Sequence, residues 1–337
     1  MTSLIRQLLL AGMLKIGNFV AVCALATVPL LATERQPAPA GPPPVETALD
    51  RITPDATFAI PSVTDIGASA DSLWAVSAKE GSVVQIDAKA ATAGLPIALG
   101  GSPCRGLASD DTSLWVPLCG EAALARIDLM SGSVTRLPLA GLTEGGGALA
   151  TGVGSVWILS DRRGSLLRID PASGLAVADV YLPDGTSALA FGMDALWAAA
   201  TGTHQVVRIN PHNNVVEERV AVGQAPGAIA AAEDAVWSLN AGNGTVSRID
   251  AKTNRVVATI DVGAATAGAA IVTGAGAAWV SAPGHPLVRI DARTNRITHR
   301  LTGEGGGVIA FAHRSVWMAV SDTTVWRIDP RFVAALR

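Results

Sequence analysis

The sequence is poor in charge, aromatic rings and cysteine. Of its 337 residues only 16% are Asp, Glu, Lys or Arg and 4% are aromatic, against 49% hydrophobic residues and 35 glycines. Such a chain is neither disordered nor a coiled coil, because both need far more charge. It has no basic surplus. The formal net charge is −3, and without residues 1–32, whose only charges are Arg6 and Lys15, 23 basic residues face 28 acidic ones for a net of −5. That balance excludes nucleic acid and an anionic membrane surface as main partners. Catalytic signatures are missing too: there is no Gly-x-Ser-x-Gly elbow, no His-x-x-x-His pair and no phosphate-binding glycine loop. Nor do apolar residues recur at the 3.6-residue spacing of helical repeats.

At the N-terminus, Arg6 and Lys15 precede an uncharged, largely apolar run over residues 16–33, and polarity returns at Glu34 and Arg35. A basic start, an apolar middle and small residues at its end predict a secretory signal cleaved after Ala26 or Ala32. At 18 residues the run also reaches the lower limit for a spanning helix, so an uncleaved anchor is the alternative and the only membrane contact expected. Cys23 follows Val22 where a lipoprotein signal has a small residue, so lipidation is not expected. Residues 33–54 contain Pro37, Pro39, Pro42, Pro43, Pro44 and Pro54, which disfavour helix and sheet and predict a stiff extended linker. The organisation predicted is a signal or anchor over 1–32, a linker over 33–54 and a folded domain over 55–337, in a periplasmic or secreted protein.

The fold is written in a repeat. Trp74, Trp115, Trp157, Trp197, Trp237, Trp279 and Trp317 follow one another at 38 to 42 residues, and each is followed 10 or 11 residues later by a variant of Arg-Ile-Asp, from Gln85-Ile86-Asp87 to Arg327-Ile328-Asp329. Within one unit, short β-prone runs at 228–231, 235–239, 245–249 and 256–260 are separated by Gly, Asn and Asp. Four strands per unit and seven units predict an all-β seven-bladed β-propeller of four-stranded antiparallel blades. The last unit shows three strands, so the orphan run 56–60 is expected to complete it, an N-terminal strand closing the ring, with 332–336 as the competing segment.

Segments such as Val207-Arg208-Ile209-Asn210-Pro211, and the run from Thr253 to Gly263, resemble the bacterial YVTN-type and streptogramin-lyase-like seven-bladed propellers over about residues 56–330. The resemblance implies that fold. For streptogramin lyases it also implies histidines about ten residues before the blade aromatic, with an acidic residue three after it and Mg2+. Here the first positions hold Thr64, Arg105, Gly147, Ser187, Gly227, Ala269 and Gly307, and the second hold Ser77, Leu118, Ser160, Ala200, Asn240, Ala282 and Val320, so neither base nor acid is in place.

Cys104 and Cys119 flank Trp115. A hairpin centred between Asp111 and Thr112 sets position 104 opposite position 119, within disulfide range, and predicts that bond in an exported protein.

Features found in every blade are expected to build it: Trp between blades, Asp at the turn after the third strand, Arg paired with acids of the adjacent blade. Function is expected where the repeat is irregular, in loops converging on one channel mouth. The loops into first strands offer Asp65, Arg105, Glu144, Asp184, Gln224 and Glu304. Those between second and third strands offer Lys79, Glu121, Asp161, Arg162, His204, Asn240, Asn243 and His285. Glu144 and Glu304 precede matching runs, Gly145-Gly146-Gly147 and Gly305-Gly306-Gly307, and form the sharpest pair. The function expected is a monomeric exported binding module for a small polar ligand or a protein, with Ca2+ or Mg2+ as candidate ions. The alternative is a metal-dependent lyase or lactonase with an altered site built on Asp65, Glu144, Asn240 and Glu304.

Overall fold

A computed structural model describes residues 42–232, 234–263 and 268–337. The expected signal or anchor, with Cys23, lies outside the described residues, as does the first part of the linker.

Seven antiparallel sheets form the blades of a β-propeller, with almost no helix. In blades 2 to 6 the strands follow chain order from the inside out, as in blade 5: Pro226–Ala232, Ala235–Asn240, Thr245–Asp250 and Arg255–Asp261. The first strands of successive blades touch one another around the whole ring, the seventh meeting the first, and so line the central channel. Second strands such as Ser113–Leu118 and Ala277–Ala282 are buried along their full length. A blade is covered on both faces by its neighbours, which is why these strands read as continuous apolar runs instead of alternating with polar residues.

The seven repeat tryptophans are all at most 1% exposed. Trp237 packs in one cluster with Ile271, Ala278 and Ile290 of the next blade, as an inter-blade residue should. Over six of the seven rings lies the Arg of the same blade, its guanidinium carbon 5.1 to 5.8 Å from the ring centre. The adjacent-blade acids expected to pair with these arginines are replaced by neutral acceptors. Arg208 donates to the Ala251 carbonyl and Asn254 Oδ1 of blade 5, at 2.9 and 3.0 Å, and Arg168 to Asn214 of blade 4 at 3.0 Å. Arg327 donates to the Ala88 carbonyl of blade 1 at 2.7 Å, so the same latch crosses the seam between last and first blades. Neutral acceptors suit this place, since a buried carboxylate would need more partners than a turn provides. The recurring Asp behaves as expected: Asp250 accepts from the N–H groups of Lys252 and Thr253, both at 2.9 Å.

Ala56–Ala59 pairs antiparallel with Thr324–Ile328 and supplies the fourth strand of blade 7. Phe58 is 4% exposed and faces Trp317 with ring centres 5.7 Å apart. The competing segment is helical, Pro330–Ala335, started by Asp329 as N-cap and by proline in its first turn. One element departs from the sequence expectation. Within the segment read as linker, Val45–Ala48 lies parallel to Arg296–Thr302 as a fifth strand on blade 6. The stretch between Pro44 and Pro54 holds no proline, so its backbone N–H groups are free to pair.

Cys104 and Cys119 are disulfide-bonded with Cα atoms 5.7 Å apart. The pairing Ala108 with Trp115 and Ser109 with Leu114 is the hairpin register that brings them opposite each other.

Candidate functional site at the channel mouth

A cavity of about 700 Å³ opens at the end of the channel where the loops enter the first strands, and all seven blades contribute to it. Six of the seven residues ten before the repeat Trp line it: Thr64, Arg105, Ser187, Gly227, Ala269 and Gly307. This ring is thus a true structural circle, and the charge on it is that of Arg105.

Of the candidate residues, the cavity gathers Asp65, Arg105, Glu144 and Arg162. Asp65 is half-buried in the first strand of blade 1, where Oδ1 accepts from the Ile66 N–H and Oδ2 from the Gly106 N–H, both at 2.9 Å. Burial pushes its carboxyl above the usual carboxylate range, outweighing these hydrogen bonds and the nearby Arg105 charge. Arg105 precedes the short strand Ala108–Ser109 in a stretch that makes no ladder of its own. Its backbone is held by the neighbouring disulfide, by the Cys104 N–H to the Pro117 carbonyl at 3.0 Å, and by Gly106 on Asp65. Blade 3 abuts this stretch: a Cβ at Gly147 would lie 2.6 Å from the Arg105 carbonyl oxygen and 2.9 Å from Cys104 Sγ. Arg162 rests on bare backbone, since a Cβ at Gly145 would lie 2.5 Å from its Cγ.

Glu304 does not line the cavity. The two Glu-Gly-Gly-Gly runs adopt different backbones: only Gly147 of the first has positive φ, whereas Gly305, Gly306 and Gly307 all do, at 97°, 108° and 116°. The second run therefore turns its glutamate to the exposed rim, and the sequence match does not make a matched pair of sites. Asp184 is likewise exposed outside the cavity. Asn240 is fully buried, donating to Thr245 Oγ1 and Ser247 Oγ at 3.0 and 2.9 Å, and so braces its own blade. His285 lies against Arg300, its Nε2 3.5 Å from the guanidinium, and burial together with that charge lowers its pKa below the ordinary histidine value. Others of the second set tie loops down. Glu121 accepts from the Ser102 N–H, Asp161 from those of Arg163 and Ser165, His204 Nδ1 from that of Ala225, and Asn243 from the Thr245 hydroxyl. Sequence reading passed over the hydroxyls of Thr64, Ser187 and Thr201, which line the cavity. The ten-before-Trp spacing marked two of them.

The Mg2+ implied by the lyase resemblance does not fit these residues. Among the described residues no three His, Cys, Asp or Glu side chains gather closely enough to hold a metal ion. The positions three after each Trp carry uncharged side chains, and those from Ser77 to Ala282 are buried.

In fold, the chain is a streptogramin-lyase-like propeller. It is similar to virginiamycin B lyase from Staphylococcus aureus, at 17% identity and a TM-score of 0.69 over 80% of this chain and 97% of that one. A streptogramin B lyase structure matches at 17% identity and a TM-score of 0.66, covering 80% and 95%. BamB from Moraxella catarrhalis matches at 12% identity and 0.59, covering 82% and 98%. At these identities the likeness concerns the fold alone, which hosts unrelated activities. No protein-family model matches the sequence, and a search of curated proteins gives no match.

Proposed function

We propose that the protein is an exported propeller that binds a small ligand at this channel mouth. The observation that carries the reading is the convergence of Asp65, Arg105, Glu144 and Arg162, from three blades, on one cavity of about 700 Å³. Export is supported by the predicted signal and by the disulfide, which persists in oxidising compartments. A binding role is favoured over lyase chemistry because the ring position ten before each Trp offers no group that can take a proton. The test is a thermal-shift screen of small molecules on the mature protein, repeated on Glu144→Gln and Arg105→Gln. Ligand-induced stabilisation is expected in the wild type and altered in both variants. Stabilisation unchanged in both would move the binding surface away from the mouth.

A further inference from the structure

The charge in the cavity is unevenly spread. Asp65, Arg105, Glu144 and Arg162 all belong to blades 1 to 3, and blade 4 adds only the hydroxyls of Thr186, Ser187 and Thr201. The far wall, from blades 5 to 7, is Gly227, Ala228, Ala269, Ala270, Gly307, Val308 and Ile309, without a polar side chain.

The charges are also unequally available. Both oxygens of Asp65 are engaged by backbone N–H groups. Burial favours its neutral form. Arg105 and Arg162 differ from the two cavity carboxylates in kind. A guanidinium keeps its charge at any physiological pH. Among the described residues neither donates a hydrogen bond or lies within ion-pair distance of a carboxylate, in contrast to the latch arginines, whose donors are spent on the next blade. The backbone that carries Arg105 is held by the disulfide and the Gly106–Asp65 bond, and the stem of Arg162 rests on Gly145. Two exposed guanidinia on anchored backbone and stem therefore share the cavity with one free carboxylate, Glu144, across from an apolar wall.

A second cavity of about 550 Å³, between blades 6 and 7, is lined by Asp55, His313, Arg314, Arg327, Asp329 and Arg331, a mixture of both signs in which two of the three arginines are already engaged. Arg331 pairs with Asp329, and Arg327 donates to Ser315 and Ala88.

We infer that the mouth takes an organic anion, a molecule with one compact acid group held by Arg105 and Arg162 and an apolar body laid against the glycine and alanine wall of blades 5 to 7. Planar acid groups suit paired guanidinium donors. Flat glycine backbone lets a ring or alkyl body approach closely. This inference rests on the mouth being the binding site and adds the class of ligand.

The test is calorimetric titration of the mature protein with 4-phenylbutyrate and phenyl phosphate, against 4-phenyl-1-butanol as the neutral counterpart. Both anions are expected to bind at least tenfold more tightly than the alcohol, and less tightly as salt is raised. Arg105→Gln and Arg162→Gln should each weaken anion binding about tenfold, while Glu144→Gln should strengthen it by removing the one opposing charge. The two anions together tell whether carboxylate or phosphate fits better. Equal affinity for acid and alcohol, weakening by Glu144→Gln, or no anion binding at millimolar concentration overturns the anion inference. Weakening by Glu144→Gln leaves the mouth as the binding site, because a mouth variant still responds, and so does equal affinity when Arg105→Gln or Glu144→Gln changes it. Anion binding that none of the three substitutions changes overturns both readings together.

Discussion

Replacing Cys104 and Cys119 together by alanine tests how much of blade 2 depends on a covalent tie. The two residues are separated by 15 positions, and in the unfolded chain a closed loop of that size is restrained by about 3 kcal/mol at 25 °C. The native hairpin needs the bond less, since Cys119 lies at 6% exposure in a cluster with Trp115, Leu124 and Leu149 that alanine leaves mostly in contact. The double variant should therefore fold and lose about 3 kcal/mol in urea unfolding followed by tryptophan fluorescence, with Tm lower by about 6 °C. Reductant should reproduce the loss in the wild type and do nothing further to the variant. Locally, the stretch that carries Arg105 has no ladder of its own, so the Gly106 amide should exchange faster once the bond is gone. A loss below about 1 kcal/mol would refute the loop argument. Unchanged exchange at Gly106 would refute the role of the disulfide in holding the mouth.

Phe58→Ala removes the side chain that joins the closing strand to Trp317 and should cost about 3 to 5 kcal/mol, whereas Phe332→Ala, at 42% exposure in the C-terminal helix, should cost under about 1 kcal/mol. Similar losses from the two in urea unfolding would contradict closure by the N-terminal strand. Arg248→Ala strips one latch, losing its stacking on Trp237 and its bonds to the Ala292 carbonyl and to Asn295 Oδ1, and should destabilise by about 2 to 4 kcal/mol. Arg248→Lys should recover only part of this, because an ammonium cannot match the planar fork. Acid should weaken the ring through its turns. Asp87, Asp128 and Asp250 have pKa values lowered first by the N–H groups of Ala90, Ser131 and Thr253, so the stability they add is present above the unfolded carboxylate value and is lost as pH falls through the lower folded values. Asp250→Asn should keep the turn and flatten this dependence below the ordinary carboxylate value of about 3.9, since Asn210 already serves blade 4 by accepting from the His212 N–H at 2.9 Å. A denaturation midpoint that does not move with pH in the wild type would count against the turn carboxylates.

What could be read from residues alone followed the periodicity. Trp and Arg-Ile-Asp recur because every blade has the same neighbours, so their spacing carries the number of blades, the turn aspartates and the buried tryptophans. The disulfide was legible for a related reason: a hairpin's two-residue repeat fixes which residues face each other. The mouth was legible only in part. Position in the repeat foretold that Asp65, Arg105 and Glu144 enter the same end of the channel. It did not foretell the exposed placement of Glu304 outside the cavity, where the backbone differs in the sign of φ at two glycines, Gly305 and Gly306, a choice glycine leaves open. Asn240 and His285 are polar residues that the sequence cannot tell from ligands, and they are bound internally by Thr245, Ser247 and Arg300. The fifth strand at Val45–Ala48 escaped because it follows no repeat, and prolines on either side concealed it. The arginines met carbonyls and asparagines in place of acids for a geometric reason. Arg126, Arg168, Arg208, Arg248 and Arg327 reach the turn of the next blade, where a backbone oxygen or an Asn at positive φ accepts, whereas Arg289 donates to Thr298 of its own blade.

Closure by Ala56–Ala59 sets the order in which this chain can fold. Ala56 pairs with Arg327, so a strand made near the start of the domain waits for the last, and the loop between them costs about 5 kcal/mol to close on chain entropy alone. Blades 1 to 5, and the four antiparallel strands of blade 6, are consecutive in the chain and can form as they emerge, like a string of hairpins. Until the end arrives, the outer edge of Thr324–Ile328 and the buried face of Phe58 have no partner, and the nascent arc is an open fan with one unpaired edge. Folding of this protein is accordingly a fast, local phase followed by a single slow capture of the N-terminus, and the vulnerable species on its route to the ring is that open arc.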